Sequence, residues 1–342
     1  MKSTLPAREL AINSFLAQTR RELYVPEDDG KFQHDRFVAV NDSLLTQATY
    51  SVPLTTYAVG YRDKAPLREL LQFLAPEVPV NRRFTYKAFN SADAFLSDED
   101  ADDIRAPRGD FKTLQEAPST EVSEYTRNRG LKIQVDEDQV VEQLNGVDWK
   151  QFYTQRLIDR LARNKFRRAL ALAVAAANAS SKTWGSSANA DADVRAELRA
   201  SADINGIRPN RVLYGETAWD LRLASYEAQL TAGSIGAVNR DEARLSAYLD
   251  VAGVMVSSAR YTSSASAKTQ IVGAKVLAFN AFDGMTKEDP SNLKTFISPV
   301  EGGGFVRVFE RQVGTKLWEI AVEEYNITKL TASTGIRLLN IS

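Results

Sequence analysis

Cysteine is absent from this chain, and histidine occurs once, at position 34. Without cysteine there is no disulfide, no thiolate zinc site and no cysteine nucleophile. With one histidine there is no histidine-rich metal centre, and His34 is the sole candidate for a Ser-His-Asp triad. It sits in the polar segment PEDDGKFQHDRF, where it reads as a solvated loop residue. Long apolar runs are missing as well. Nothing approaches the ~18 consecutive apolar residues of a membrane span, and the N-terminal MKSTLPARELAINSF has no apolar stretch of the secretory kind. Neither sign of charge dominates: 43 Lys and Arg stand against 44 Asp and Glu, for a net charge of −1. The total therefore gives no general affinity for nucleic acid. These absences remove the commonest catalytic toolkits, and no catalytic, cofactor-binding or metal residue is assigned. The rest of the composition, 44% hydrophobic and 25% charged over 342 residues, is ordinary for a soluble protein of about two domains.

What is present is helix-forming sequence of uncommon length. From Asp148 to Asn178 the chain reads DWKQFYTQRLIDRLARNKFRRALALAVAAAN, without proline or glycine. Ala, Leu and Arg are strong helix formers, and Asp148 is a good N-cap. At ~1.5 Å per residue the helix 148–178 runs on the order of 45 Å, well beyond the usual three turns. A rod of that length serves as a scaffold on which other elements are hung.

The segments before the rod are less regular. Residues 5–24 space Leu10, Ile12, Phe15, Leu16 and Leu23 as a short amphipathic helix, packed on its own subunit or docked on a neighbour. Residues 25–36 are polar. Residues 37–61 read as extended segments broken by turns, 65–74 as a helix ended by Pro76 and Pro79, and 80–90 as a strand. Residues 91–118 are polar and rich in acid, so 80–118 reads as a long loop with little core, of the kind that is functional or rests on another chain. The alternation of Leu131, Ile133 and Val135 marks a strand.

After the rod, 179–193 is small and polar and reads as a linker. Then the pattern turns α/β. Asp193 can cap a helix, Gly206 and Pro209 turn the chain, and Arg211–Tyr214 is a short buried strand. Glu216–Glu227 and Asp241–Leu249 are helical, and Val254–Ser257 and Ala274–Asn280 are core strands. From Thr295 to Ile341 the chain is mostly strand, expected to return beside the rod. Trp149, Trp219 and Trp318 are expected core anchors, with Trp184 partly exposed. The fold class is α+β, with an α/β module inserted into a discontinuous domain.

Two segments resemble the major capsid proteins of tailed bacteriophages, the Hong Kong 97-type fold. One is Ser119–Ala177, a strand followed by a spine helix. The other is DINGIRPNRVLYGETAWDLRLASYE (Asp203–Glu227), where Gly206, Pro209 and Asn210 introduce a strand and Trp219 lies on the following helix. The resemblance implies an N-terminal arm at 1–65, an extended loop at 75–118, a peripheral domain at 119–184 and 296–342 with the spine helix, and an axial domain at 185–295. It implies a major capsid protein, not an enzyme, that self-assembles into pentamers and hexamers of an icosahedral head around double-stranded DNA. Its partners would be copies of itself, a portal protein, packaged DNA, and a separate scaffolding protein or none. It would be assembled in the host cytoplasm and reside in the virion capsid. Two other readings stand beside this one: an encapsulin-type nanocompartment shell, and a cytosolic hydrolase using paired carboxylates of the α/β module.

The spine carries Lys150, Arg156, Arg160, Arg163, Lys165, Arg167 and Arg168 against one acid, Asp159. Spacings of three and four place Arg156, Arg160, Arg163 and Arg167 on one side. They either pair with acids such as Asp136, Glu137 and Asp138, or face packaged DNA and contact its phosphates. The acidic run Ser97–Asp103 reads as a solvated loop tip. Gly302–Gly304 lacks the helix that a phosphate-binding loop needs and reads as a flexible connection. No crosslinking role falls to Lys87 or Lys112.

Overall fold

The computed structural model describes residues 51–60, 67–89, 105, 107–110, 121–138, 140, 148–229, 231–264, 266–285, 289–300 and 304–342. The expectations for His34, the N-terminal helix, the acidic run, Lys112, Gly302 and Gly303 lie outside them.

In chain order, helices α1 (Val52–Gly60) and α2 (Leu67–Leu74) precede strands β1 (Glu77–Pro79), β2 (Arg83–Lys87), β3 (Glu121–Tyr125) and β4 (Arg127–Asp136). The long helix α3 (Trp149–Ala176) leads into β5 (Asn178–Lys182) and α4 (Ala190–Asn205). Strand β6 (Arg211–Gly215), helices α5 (Glu216–Glu227), α6 (Ala232–Val238) and α7 (Glu242–Leu249), and strand β7 (Gly253–Ser257) follow. The remainder is strand: β8 (Arg260–Thr262), β9 (Lys268–Gln270), β10 (Lys275–Phe279), β11 (Leu293–Ser298), β12 (Val306–Gln312), β13 (Leu317–Leu330) and β14 (Arg337–Ile341). The chain forms two compact units. One comprises Met1–Tyr61, Arg127–Leu157 and Val300–Tyr325; the other comprises Arg62–Thr126, Ile158–Pro299 and Asn326–Ser342.

In the first unit β12 pairs antiparallel with the front of β13, from Val306 opposite Glu324 to Gln312 opposite Trp318, and β4 also pairs with β13. The front of α3 starts where Asp148 caps it, its Oδ1 accepting from the Lys150 N–H at 3.0 Å. Residues 52–60 depart from the extended expectation and form α1. The cause is tertiary. The Ser51 N–H donates to Val308 O and the Val308 N–H donates to Thr55 Oγ1, both at 3.0 Å, which docks the helix with Leu54 and Ala58 buried. Pro53 sits in the first turn, where a helix needs no N–H from it.

In the second unit a five-stranded sheet runs β5-β14-β10-β6-β7. Alternate residues of its strands enter different cores. Leu213, Leu277 and Leu338 meet Leu70 and Leu74 of α2 and Phe166, Ala169, Leu170 and Ala173 of α3. Val212, Tyr214, Val276 and Leu339 meet Val194 and Leu198 of α4, Ala218 of α5 and Leu245 of α7. Both faces of β6, β7 and β10 are covered, so these strands read as short apolar runs and not as an alternation. The rear of α3 offers Phe166, Ala169, Leu170 and Ala173 at i, i+3, i+4 and i+7, which is one helical stripe. Gly215, where β6 becomes α5, admits no side chain: a Cβ there would stand 1.8 Å from the Gly273 carbonyl oxygen. Also in this unit, β1 pairs parallel with β11. Phe84 and Tyr86 of the β2–β3 hairpin close on Phe296 of β11, with ring centroids at 4.4 and 5.3 Å.

Three sequence expectations need correction. Part of the expected linker 179–193 is strand β5, paired parallel with β14, so the last strand of the chain enters the α/β sheet. Helix α4 is capped by Asn189, whose side chain accepts from the Ala192 N–H. Asp193 lies inside its first turn and binds Trp184 Nε1 and Lys182 Nζ. Trp184 is 4% exposed, a core residue, whereas Trp149, Trp219 and Trp318 are only partly buried. The small polar neighbours of Trp184 in sequence say nothing of Val194 and Leu198, beside which it packs.

Candidate polyanion-binding face of the long helix

The seven cations of α3 meet different fates. In the first unit Lys150 Nζ pairs with Glu310 at 3.0 Å and lies 3.9 Å from the centroid of the Trp318 ring. In the second unit the buried Lys165 pairs with Glu77 at 3.1 Å. Arg168 also has partners. The four arginines singled out from spacing have no carboxylate partner among the described residues. Arg156 lies over the Phe152 ring, at 5.7 Å. In the second unit Arg160 and Arg167 are exposed and Arg163 is half-buried, and Arg167 stacks on Tyr261 with Cζ 3.9 Å from the ring centroid.

The acids considered as partners are occupied elsewhere. Asp138 pairs with Lys316 at 2.6 Å, Glu137 accepts from Trp318 Nε1 at 3.0 Å, and Asp136 accepts from the Asp138 N–H. A guanidinium without a carboxylate is a ready donor to phosphate oxygens. The stretch Arg160–Arg168 holds five cations and no acid, which is the composition of an electrostatic footprint. Lys87, by contrast, is simply exposed.

Each unit has an interior network of its own. In the second unit Asp191, 1% exposed, receives Arg222 Nε at 2.7 Å, Arg222 Nη2 at 3.1 Å and Arg240 Nη1 at 2.6 Å. Arg222 is 0% exposed and lies against Trp219 and Tyr226. Burial pushes the nearby Tyr214 hydroxyl far above its usual range, with the Asp191 charge adding to the effect. Other carboxylates of the module also serve structure. Glu216 binds Arg260 and Gln270, Asp241 caps α7, and Glu242 accepts from the Val256 N–H. Asp241 and Glu242 lie on the rim of an open cleft of about 400 Å³ with Trp219, Leu223, Val238 and Val256.

In the first unit Glu319 of β13 is buried between strands. It accepts from Lys132 and Gln134 of β4 at 3.2 and 3.0 Å and from Arg311 of β12 at 3.3 Å. Burial raises its pKa, but the hydrogen bonds from Gln134 and Lys132 and the charges of Lys132 and Arg311 outweigh it and hold the carboxyl below its usual value. A lowered folded-state pKa contributes stability that is complete above the unfolded value of 4.5 and is lost as pH falls through the folded one. Thermal melting of the native chain should therefore weaken as pH drops below about 4.5. In Glu319→Gln that part of the slope should be absent. Equal acid slopes in the two proteins would contradict this account of Glu319.

The sequence missed Asp191–Arg222 and Tyr261. A buried ion pair leaves no periodic signature, and Tyr261 lies in a hairpin too short to show one. Among the described residues no helix is long and apolar enough to cross a membrane.

The fold that positions this face is a mixed one, with a long helix, a doubly covered sheet and antiparallel strands. It is shared with a phage-related protein of Bordetella bronchiseptica RB50, at 19% sequence identity and a TM-score of 0.60, over 86% of this chain and 97% of that one. Looser matches include the bacteriophage PhiM1 mature capsid, at 12% identity, TM-score 0.47 and coverages of 83% and 89%. Another is the putative capsid protein of a prophage of E. coli CFT073, at 11% identity, TM-score 0.46 and coverages of 86% and 100%. No protein-family model matches the chain, and no curated protein matches it. The resemblance read from Ser119–Ala177 and Asp203–Glu227 thus holds at the level of the fold.

Proposed function

We propose that this chain is a major capsid protein, building the pentamers and hexamers of an icosahedral phage head around double-stranded DNA. The observation that carries the reading is the fold shared with a phage-related protein over nearly the whole of both chains. In this reading residues 1–65 are an arm and 75–118 an extended loop, both lying on neighbouring subunits. Residues 119–184 and 296–342 form the peripheral domain and 185–295 the axial domain, with β5 and β14 lending their strands to the axial sheet. Rings of identical contacts close into a shell, and a net charge of −1 limits repulsion between packed copies. Arg156, Arg160, Arg163 and Arg167 face the genome and bind phosphates without reading sequence. What supports this role is their lack of carboxylate partners among the described residues, beside the paired Lys150 and Lys165. The protein catalyses no reaction. A portal protein, and a scaffolding protein where one is used, join it in the host cytoplasm.

Particles isolated from the cell that encodes the chain test this directly. The chain should sediment with nuclease-protected double-stranded DNA. Particles filled with a protein cargo and free of DNA would identify an encapsulin-type compartment instead. The engagement of Asp191, Glu216, Asp241 and Glu242 by Arg222, Arg240, Arg260 and backbone N–H groups weighs against the hydrolase reading.

A further inference from the structure

Arg167 lies closer to an aromatic platform than Arg156, whose Cζ is 5.7 Å from the Phe152 ring centroid. The Arg167 Cζ lies 3.9 Å from the centroid of the Tyr261 ring, and Tyr261 belongs to the two-stranded hairpin β8–β9, opposite Thr269. The hairpin is held at its open end, next to that ring. Arg260 and its cross-strand partner Gln270 both donate to the Glu216 carboxylate, the latter at 2.9 Å. Thr217 Oγ1 donates to Gln270 Oε1 at 2.8 Å, and the Ile271 N–H closes on Ala259 O at 2.8 Å. A ring fixed in this way fixes what stacks on it. Stacking uses the face of a guanidinium and leaves its in-plane N–H groups free for a planar or tetrahedral oxyanion. Arg167 is exposed and has no carboxylate partner among the described residues. The hairpin segment Ser258–Gln270, SARYTSSASAKTQ, contains no acid to compete.

We propose that Tyr261 is a positioning residue for nucleic-acid phosphate: it holds Arg167 in the orientation that receives the backbone of a duplex lying along α3. The β8–β9 hairpin is then the second edge of the polyanion surface, which reaches beyond the helix. Holding the guanidinium in advance spares the ordering cost that a freely rotating arginine bears on binding. This rests on the reading that the arginine row contacts DNA.

The test is a double-mutant cycle on the full chain, with a short duplex DNA of arbitrary sequence as the probe. Tyr261→Leu should weaken binding about two- to fivefold. Tyr261→Phe, which keeps the ring, should bind as the native chain does. In an Arg167→Ala background Tyr261→Leu should have no further effect. Arg167→Lys keeps the charge but loses the planar stack, and should weaken binding as Tyr261→Leu does; it covers the case in which Tyr261→Leu fails to fold. Native affinity in Tyr261→Leu or Arg167→Lys, or an equal loss from Tyr261→Leu with and without Arg167, overturns the proposal. Its failure is separable from that of the underlying reading. If neutralising Arg160, Arg163 and Arg167 together weakens binding and Tyr261→Leu does not, only the platform is wrong. If the triple change has no effect, the DNA-facing role itself is wrong.

Discussion

Replacing Arg160, Arg163 and Arg167 together by alanine should flatten the salt dependence of duplex DNA binding and lower the DNA content of particles that still assemble. Each phosphate neutralised by a cation contributes about 0.9 to the slope of log affinity against log salt. Losing three such contacts should therefore reduce the slope by about 2.7. The loss should be the same for every DNA sequence, because phosphate contacts carry no sequence information. Fluorescence anisotropy across a salt series measures the slope, and absorbance of purified particles measures the packaged DNA. The structural basis is the sorting of cations along α3. Lys150 and Lys165 are neutralised by Glu310 and Glu77, while no carboxylate among the described residues reaches the three arginines. If the variant chain fails to form shells at all, these side chains bind neighbouring subunits and not DNA.

The largest effect on stability is expected at Asp191. Asp191→Ala leaves Arg222, 0% exposed, and the partly buried Arg240 without their shared carboxylate. Breaking a buried pair on one side costs about 3–5 kcal/mol, because an uncompensated charge stays in the interior. Chemical denaturation of the isolated chain reads this directly. The start of α4 should stay capped, since the backbone N–H of residue 191, which alanine keeps, donates to the Tyr226 hydroxyl oxygen and Tyr226 in turn donates to the cap Asn189. Removing Arg222 together with Asp191 should recover part of the loss, because the stranded charge is then gone. A loss below about 1 kcal/mol, the range of exposed pairs, would show that water reaches the site.

What the sequence made legible was what repeats or caps. The long helix announced itself by thirty-odd residues without a breaker, and Asp148 marked its start. Gly206 was readable as a stop, and it takes the left-handed C-cap position of α4, with φ of 72°. Strands β6, β7 and β10 showed as short apolar runs because both faces of their sheet are covered. What was not legible depended on partners far away in the chain. Residues 52–60 carry valine and threonine, yet Val308 docks them as a helix. Asn178–Lys182 is polar, yet β14 recruits it as a strand. The four arginines could be placed on one side of a helix by counting. Their lack of carboxylate partners among the described residues could not, because it required knowing that Asp138 is engaged by Lys316 and Glu137 by Trp318.

The central claim is that the chain folds in order to tile a closed shell with copies of itself. The mass of the purified recombinant protein in solution, by analytical ultracentrifugation, tests it most directly. The account predicts capsomers that convert, as concentration rises, to uniform closed particles in the megadalton range. A sharp monomer or dimer peak that persists at every concentration would contradict it.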